Sequence, residues 1–307
     1  MKSTSKKSVA NQPAIRAVRL LAGLLLFFSR TLAAQKAGNS SASSASANPA
    51  RTVGETSETA SESLAPVVYK DDQQPGLRGY QYTFLGNAFF INEEGYLLTV
   101  AHVLDTFGEG GQPPYILVSR TNAPPRLVQV TIIAKDAAHD VAILRANSNP
   151  FASAASYAVT FVPLSSGQPA RGESVLALSL HPKQAQYAQS YDLPREDSSP
   201  GTVLSFESTQ LAKSAPPAEV FLLSHAVVKG QSGSPVMDVQ THAAIGLVEG
   251  IWLRGSSSSL ARAATKNAGA PGAAVPMQYA LTLLKQNGVN WHAEAPLVSS
   301  PAKSSLQ

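Results

Sequence analysis

The sequence predicts an all-β fold, a barrel or sandwich, with one helix near its C-terminal end. Three observations lead there. Short runs rich in aromatic and β-branched residues follow one another between residues 80 and 275, the composition that strands favour. The connections between them are rich in Gly, Pro and Ser, the residues of turns. A single stretch carries a helical period, and no long internal repeat is visible.

The elements follow in chain order. Lys2, Lys6, Lys7, Arg16 and Arg19 precede the apolar run Leu20–Phe28, and "TLAAQ" supplies small residues after it. That order is the order of an export signal over residues 1–34, cleaved near Ala33 or Ala34. The apolar run is far shorter than the roughly 20 residues of a spanning helix, so no stable membrane span is expected. Arg30, between the run and the cleavage site, leaves an uncleaved amphipathic anchor as the alternative. Residues 35–65, "QKAGNSSASSASANPARTVGETSETASESLA", have almost no apolar bulk. They cannot offset the entropy of ordering and read as a disordered linker. The folded domain is expected over residues 66–290.

Within it, "YQYTFLGNAFFIN" is the first strand-like run, "EEG" makes a turn, and "YLLTVAHVL" resumes the strand character. "YILVSR", "RLVQVTIIAKD", "DVAILRA", "ESVLALSL", "GTVLSFES", "EVFLLSHAVV", "SPVMD" and "AAIGLVEGIWL" continue it. "PMQYALTLLKQNG" is the helix, expected over residues 276–288. Pro276 can start it, Tyr279, Leu283 and Leu284 form its apolar stripe, and Gly288 can close it. Residues 291–307 read as a disordered tail.

Composition excludes several functions. The sequence pI of about 9.2 comes from the leader. Of 24 Lys and Arg, six lie in residues 1–34, which leaves 18 against 20 acidic residues. No basic stripe remains to neutralise phosphates, so nucleic acid is not an expected partner. Cysteine is absent, which removes thiol nucleophiles, disulfides and thiolate metal sites. His181, His242 and His292 form no spaced metal motif with carboxylates, and no phosphate-binding glycine loop is present.

The chemistry-bearing stretch is "VVKGQSGSPVMD", residues 227–238. Ser232 lies beside Gly233 and two residues after Gly230, as a nucleophile on a tight turn would need. A serine hydroxyl is a weak nucleophile without a base, and the base needs an orienting group. His102 in "LLTVAHVLD", at the end of an apolar strand, and Asp140 in "AAHDVAILRA", at the start of another, are the candidates. Alone, each suits a structural role as well.

Together, His102, Asp140 and Ser232 in the contexts "LTVAHV", "HDVAIL" and "GQSGSPV" resemble the chymotrypsin-fold (trypsin-like) serine peptidases. The chain is similar in particular to cysteine-free exported bacterial members, Deg-type or glutamyl-endopeptidase-like. The resemblance spans about residues 80–285 and includes "AAIGLVEG" and "GAAVPMQYALTLLK". It implies two six-stranded antiparallel β-barrels packed roughly perpendicular, over about residues 66–155 and 156–275, with a C-terminal α-helix. It implies a serine endopeptidase acting on protein or peptide substrates through an acyl-enzyme intermediate, periplasmic or extracellular, with no metal or organic cofactor. Ser232 would be the nucleophile, His102 the base and then acid, and Asp140 the group that fixes the imidazole tautomer. The N–H groups of Gly230 and Ser232 would form the oxyanion hole. His225, Ala226 and Ile251 would line the substrate pocket, with packing in the core as the alternative role for His225. The first two bear on its preference: Ala226 favours a small or apolar residue before the scissile bond, whereas His225 would admit an acidic one. A pseudoenzyme that keeps the fold and only binds a partner is the alternative.

The chain departs from the family pattern at two places. Ser234 stands where most members have glycine. Many relatives carry serine or threonine near Glu249, where it helps to hold the aspartate; a glutamate there would repel Asp140 unless it turned outward. With so short a stretch after the helix, no PDZ module is expected. The G-x-S-x-G elbow of α/β-hydrolases fails at Ser234 and lacks the alternating helices. Asp136 is the weaker rival for the acid role, Asp105 reads as a local cap, and His139 as a surface residue on the strand of Asp140. Mass spectrometry of the native protein should find a mature N-terminus near Gln35; intact Met1–Arg30 peptides in the localised protein would contradict cleavage.

Overall fold

The apolar run of residues 174–181 is a strand with two buried faces. Val175 and Ala177 pack with Phe221, Val236 and Val248, whereas Leu176, Leu178 and Leu180 join Leu97, Ile143 and Leu247 in a second cluster. Successive side chains on a strand point to opposite faces, so burial on both sides requires an unbroken apolar run. The computed structural model in which these contacts occur describes residues 57, 60–71, 81–107, 111–181, 187–189, 195–252, 260–261 and 270–294. The expected export signal lies outside the described residues, as do most of the linker and most of the tail. Among the described residues no helix is long and apolar enough to cross a membrane.

Strands β1 (Leu64–Asp71), β2 (Gln81–Phe90), β3 (Tyr96–Thr99), β4 (Tyr115–Arg120), β5 (Ala123–Asp136) and β6 (Val141–Ala146) come first. They pair in the order β1-β4-β5-β6-β3-β2, and an additional β1–β2 pairing closes the ring. β7 (Ser174–His181) is followed by the short β8 (Tyr187–Gln189), which adds to the outer edge of β2. The second ring runs β11-β7-β9-β10-β14-β12 and closes through β11–β12. Its remaining members are β9 (Arg195–Thr209), β10 (Ala218–Leu223), β11 (Pro235–Asp238), β12 (Ala244–Trp252) and β14 (Gly272–Pro276). The two-residue β13 (Leu260–Ala261) flanks β12. Among the described residues every pairing between these strands is antiparallel, so the chain has the two six-membered antiparallel rings that the resemblance implied.

The helix α1 (Met277–Gln286) starts directly after Pro276 and ends before Gly288, whose φ of 64° closes it. Met277, Ala280, Leu283 and Leu284 are its buried face; Tyr279 lies at the margin and stacks on His139 at 4.2 Å.

Two elements differ from the sequence reading. β1 begins inside the expected linker. Leu64 and Ala65 are buried with Ala60, and the Ser63 carbonyl accepts from Phe90 N (2.9 Å). The single Leu64 after a Ser/Ala/Glu run, followed by Pro66, hid the strand; Pro66 is accommodated opposite Asn87. At the other end, Leu164 N donates to His292 O (2.8 Å) and Glu294 N to Leu164 O (3.2 Å), so ordered pairing runs past residue 290. Leu64→Ala should lower the unfolding free energy by about 2–5 kcal/mol, as buried Leu-to-Ala changes do. Urea denaturation checks this; an unchanged midpoint would return Leu64 to the linker.

Candidate active site

The site begins where β3 stops. The Thr99 hydroxyl donates to the Asn87 carbonyl at 2.7 Å. After extended Val100 the chain leaves the sheet in a 3-10 turn, Ala101–Leu104. His102 therefore stands on this turn, not at a strand end as its apolar context predicts. The turn is held from the β5–β6 connection. The Asp140 carbonyl accepts from Ala101 N (3.2 Å), its Oδ1 accepts from His102 N (2.8 Å), and its Oδ2 is 2.7 Å from His102 Nδ1. Asp140 is 2% exposed, and a buried carboxylate is costly unless it is hydrogen-bonded in this way. Its φ of 54° lies in the left-handed region, which Asp tolerates better than most residues.

The loop 228–234 packs against the same part of barrel one. Gln231 N donates to Val228 O, and Val228 N donates back to Gln231 Oε1 (3.1 and 2.8 Å). Gly230 has φ 99° and Gly233 φ 83°. A Cβ on Gly233 would lie 2.0 Å from the Asn87 carbonyl oxygen and 2.5 Å from Thr99 Oγ1, so only glycine permits this approach. The Ser232 carbonyl accepts from Asn87 N (2.8 Å), and Ser232 Oγ donates to the Glu249 carbonyl (3.2 Å). Both the Ser232 carbonyl and the side chain of Val103, the residue after His102, abut Gly86. Among the described residues no group accepts from the N–H of Gly230 or of Ser232.

Asn87 is the functional residue that sequence reasoning missed. Its Nδ2 donates to the Gly230 carbonyl (2.8 Å), and its Oδ1 accepts from Leu180 N (3.0 Å). Asn87 is fully buried on β2. An Asn inside the strand-like run "FLGNAFFIN" was the available signal, because Asn is depleted in strands.

Glu249 does not turn outward. It is 0% exposed, and its carboxylate, a His102 ring nitrogen and an Asp140 oxygen all lie within 4.8 Å of one another. That spacing is short enough for a metal ion. However, Asp140 Oδ1 already accepts from His102 N, and His102 Nδ1 is committed to Oδ2 at 2.7 Å.

The expected pocket residues lie just after the end of β10 and on β12. His225 and Ala226 follow β10, and the His225 carbonyl accepts from Gly272 N (2.9 Å). Burial lowers the His225 pKa, opposed by the charge of Asp197. Neither His225 ring nitrogen has a partner among the described residues. Ala226 is exposed, whereas Ile251 is buried in the barrel-two core. His181 ends β7 with Nδ1 3.5 Å from where a Cβ on Gly230 would sit; burial lowers its pKa, against Asp197 and with Arg195. The rival acids are occupied elsewhere. Asp136 bonds His139 (2.7 Å) and Asp105 bonds Lys135 (2.6 Å). His139 sits in the turn before β6, half-buried, and not on the strand as expected.

Residues 86–247, more than half of the chain, match the family model described as "Trypsin-like peptidase domain". No curated protein matches the chain. Among solved structures, the active form of the Rv3671c protease from M. tuberculosis is similar, with TM-score 0.52 and 16% identity. That match covers 80% of this chain and 89% of the other. The HtrA-type protease AlgW, solved with a decapeptide, matches with TM-score 0.51 and 17% identity, over 77% of this chain and 67% of that one. At such identities the likeness is one of fold.

Asn87→Ala strips partners from the Gly230 carbonyl and the Leu180 N–H. At about 1–3 kcal/mol for each buried group left unbonded, the unfolding free energy should fall by about 2–5 kcal/mol. Chemical denaturation measures it, and a loss below about 1 kcal/mol would mean that the amide is not the tie described here.

Proposed function

The chain belongs to the trypsin-like peptidase family, and from that premise we propose that it is a serine endopeptidase with Ser232 as nucleophile, His102 as base and Asp140 as orienting acid. The observation that carries the reading is the His102–Asp140 pair. Both carboxylate oxygens accept from one histidine, through its backbone N and Nδ1. With its hydrogen on Nδ1, the imidazole keeps a bare Nε2 to take the serine proton.

In the reaction, Ser232 Oγ rotates from the Glu249 carbonyl toward Nε2 and attacks the peptide carbonyl carbon as its proton passes to His102. The N–H groups of Gly230 and Ser232 then receive the oxyanion. His102 returns the proton to the leaving amine, and a water molecule repeats the sequence on the acyl-enzyme. Nucleophile–base bonds are often loose in resting enzymes and tighten with substrate. We assign the residue before the scissile bond to a pocket bordered by His225 and Ala226. Ile251, buried at 7% exposure, backs the pocket from the core. We also propose that the protein is exported and that its substrates are proteins or peptides.

A second reading draws on the Ser232–Glu249 hydrogen bond: if the hydroxyl stays there, the cleft only binds a partner. Labelling with a serine-directed phosphonate separates the two. Wild type should label and Ser232→Ala should not. Asp140→Asn should lower turnover by about 10⁴-fold, the size of loss that the same change causes in a trypsin-type triad. His102→Ala should lose at least as much, and the losses should not add, because the three residues act as a unit. Asp136→Asn should stay within about tenfold of wild type. Wild-type casein cleavage by Ser232→Ala would sink the peptidase reading.

A further inference from the structure

We propose that Glu249 is held neutral and donates its carboxyl proton to Asp140, making it a positioning residue that anchors the Asp140–His102 pair from the second barrel. The inference rests on the peptidase reading for its catalytic consequence but not for the protonation itself.

The bulge in β12 is the first ground. Val248 pairs with Ala274 and Gly250 with Ala273, so Glu249 is the extra residue between them. A bulge re-aims a side chain. Here Val248 joins the barrel-two core, and Glu249 faces the other way, to His102 and Asp140.

The second ground is the crowding of charge. Asp140 and Glu249 are 2% and 0% exposed, with oxygen atoms within 4.8 Å of each other. Two buried carboxylates at such a distance do not both ionise readily, and one proton serves the pair. We take Asp140 as the acceptor of the two, since its Oδ1 receives the His102 backbone N–H and its Oδ2 lies 2.7 Å from His102 Nδ1, which donates when the ring hydrogen is on Nδ1. A carboxylate has about four acceptor sites, so Asp140 can still accept an O–H. The proton therefore sits on Glu249.

Among the described residues, β11 and β14, the two ring strands paired with β12, bring no other uncommitted titratable group to Glu249. β14 carries none, and on β11 the Asp238 carboxylate is engaged by Gln240 and Thr241 in its own turn. Among the described His, Asp and Glu side chains, His102 and Asp140 are the two grouped with Glu249 within 4.8 Å.

The sign of the resulting pH dependence follows from proton counting. A native state that keeps the Glu249 proton binds one more proton than the unfolded chain above about pH 4.3, where a free glutamate ionises. Stability that depends on Glu249 must then fall as pH rises, until the native group itself ionises. A glutamine at 249 has no proton to lose.

The test uses the full chain carrying Ser232→Ala, which prevents self-cleavage. Unfolding constants are measured from pH 5 to pH 9 with and without Glu249→Gln. The proposal expects the glutamine variant to gain on its parent by about tenfold in the unfolding constant per pH unit while the native proton is retained. A ratio that is flat with pH overturns it. Should Glu249→Gln fail to fold, the infrared spectrum of Ser232→Ala decides: a protonated-carboxyl band persisting at pH 8 supports the proposal, and its absence overturns it. In the active background, Glu249→Ala should lose about tenfold or more in kcat/KM at neutral pH, and Glu249→Gln should recover most of that loss. Equal damage in two folded variants would overturn the positioning role. Failure of the peptidase reading would instead appear as absent phosphonate labelling, with the pH linkage still readable.

Discussion

The buried amide of Asn87 is the constraint on which the site depends. It stands on β2 in barrel one and binds two segments of the second half of the chain, the Gly230 carbonyl and the Leu180 N–H. Its backbone adds two more ties, from its N–H to the Ser232 carbonyl and from Thr99 Oγ1 to its own carbonyl. All four bonds are buried or partly buried, where an unmet polar group costs far more than a met one contributes. The loop bearing Ser232 is thus fixed against the strand pair that leads to His102. Gly233 is required at the contact because the Asn87 carbonyl occupies the space of a side chain.

Barrel one makes its own contribution through Asp140. A left-handed residue at the start of β6 presents its carbonyl and both carboxylate oxygens to Ala101 and His102. Strained or unusual backbone persists where the surroundings over-determine it, and three hydrogen bonds to one two-residue segment do so here. The imidazole orientation is thus fixed within barrel one, as the proposed role of general base would need. Glu249 would extend the same logic across to barrel two, replacing a hydroxyl with a carboxyl whose proton makes it a donor.

Several features were legible in the chain because they are local. The strands announced themselves by β-branched and aromatic runs, the helix by Pro276, its apolar stripe and Gly288. Asp136 and Asp105 were read as weaker candidates for the acid role, and in the structure they bond His139 and Lys135. β1 was missed because Leu64 and Val67 are split by a proline and preceded by linker-like composition. The 3-10 turn at His102 was missed because "YLLTVAHVL" has no break in its apolar character. The turn is held by hydrogen bonds to Asp140, 38 residues on.

The sequence by itself determined the all-β class, the near-neutral body behind a basic N-terminal segment, the absence of cysteine and the order His102, Asp140, Ser232. These depend on composition, on a two-residue period and on turn residues, all properties of neighbours along the chain. Only the tertiary structure decided that Asn87 joins the two rings, that Ser232 rests on the Glu249 carbonyl and that the Glu249 carboxyl points inward. Each of these is a meeting of residues far apart in sequence. The last turns on a single bulge in β12, and one extra residue in a strand changes which face a side chain occupies. No local pattern records that shift, because it exists only in the pairing of β12 with β14.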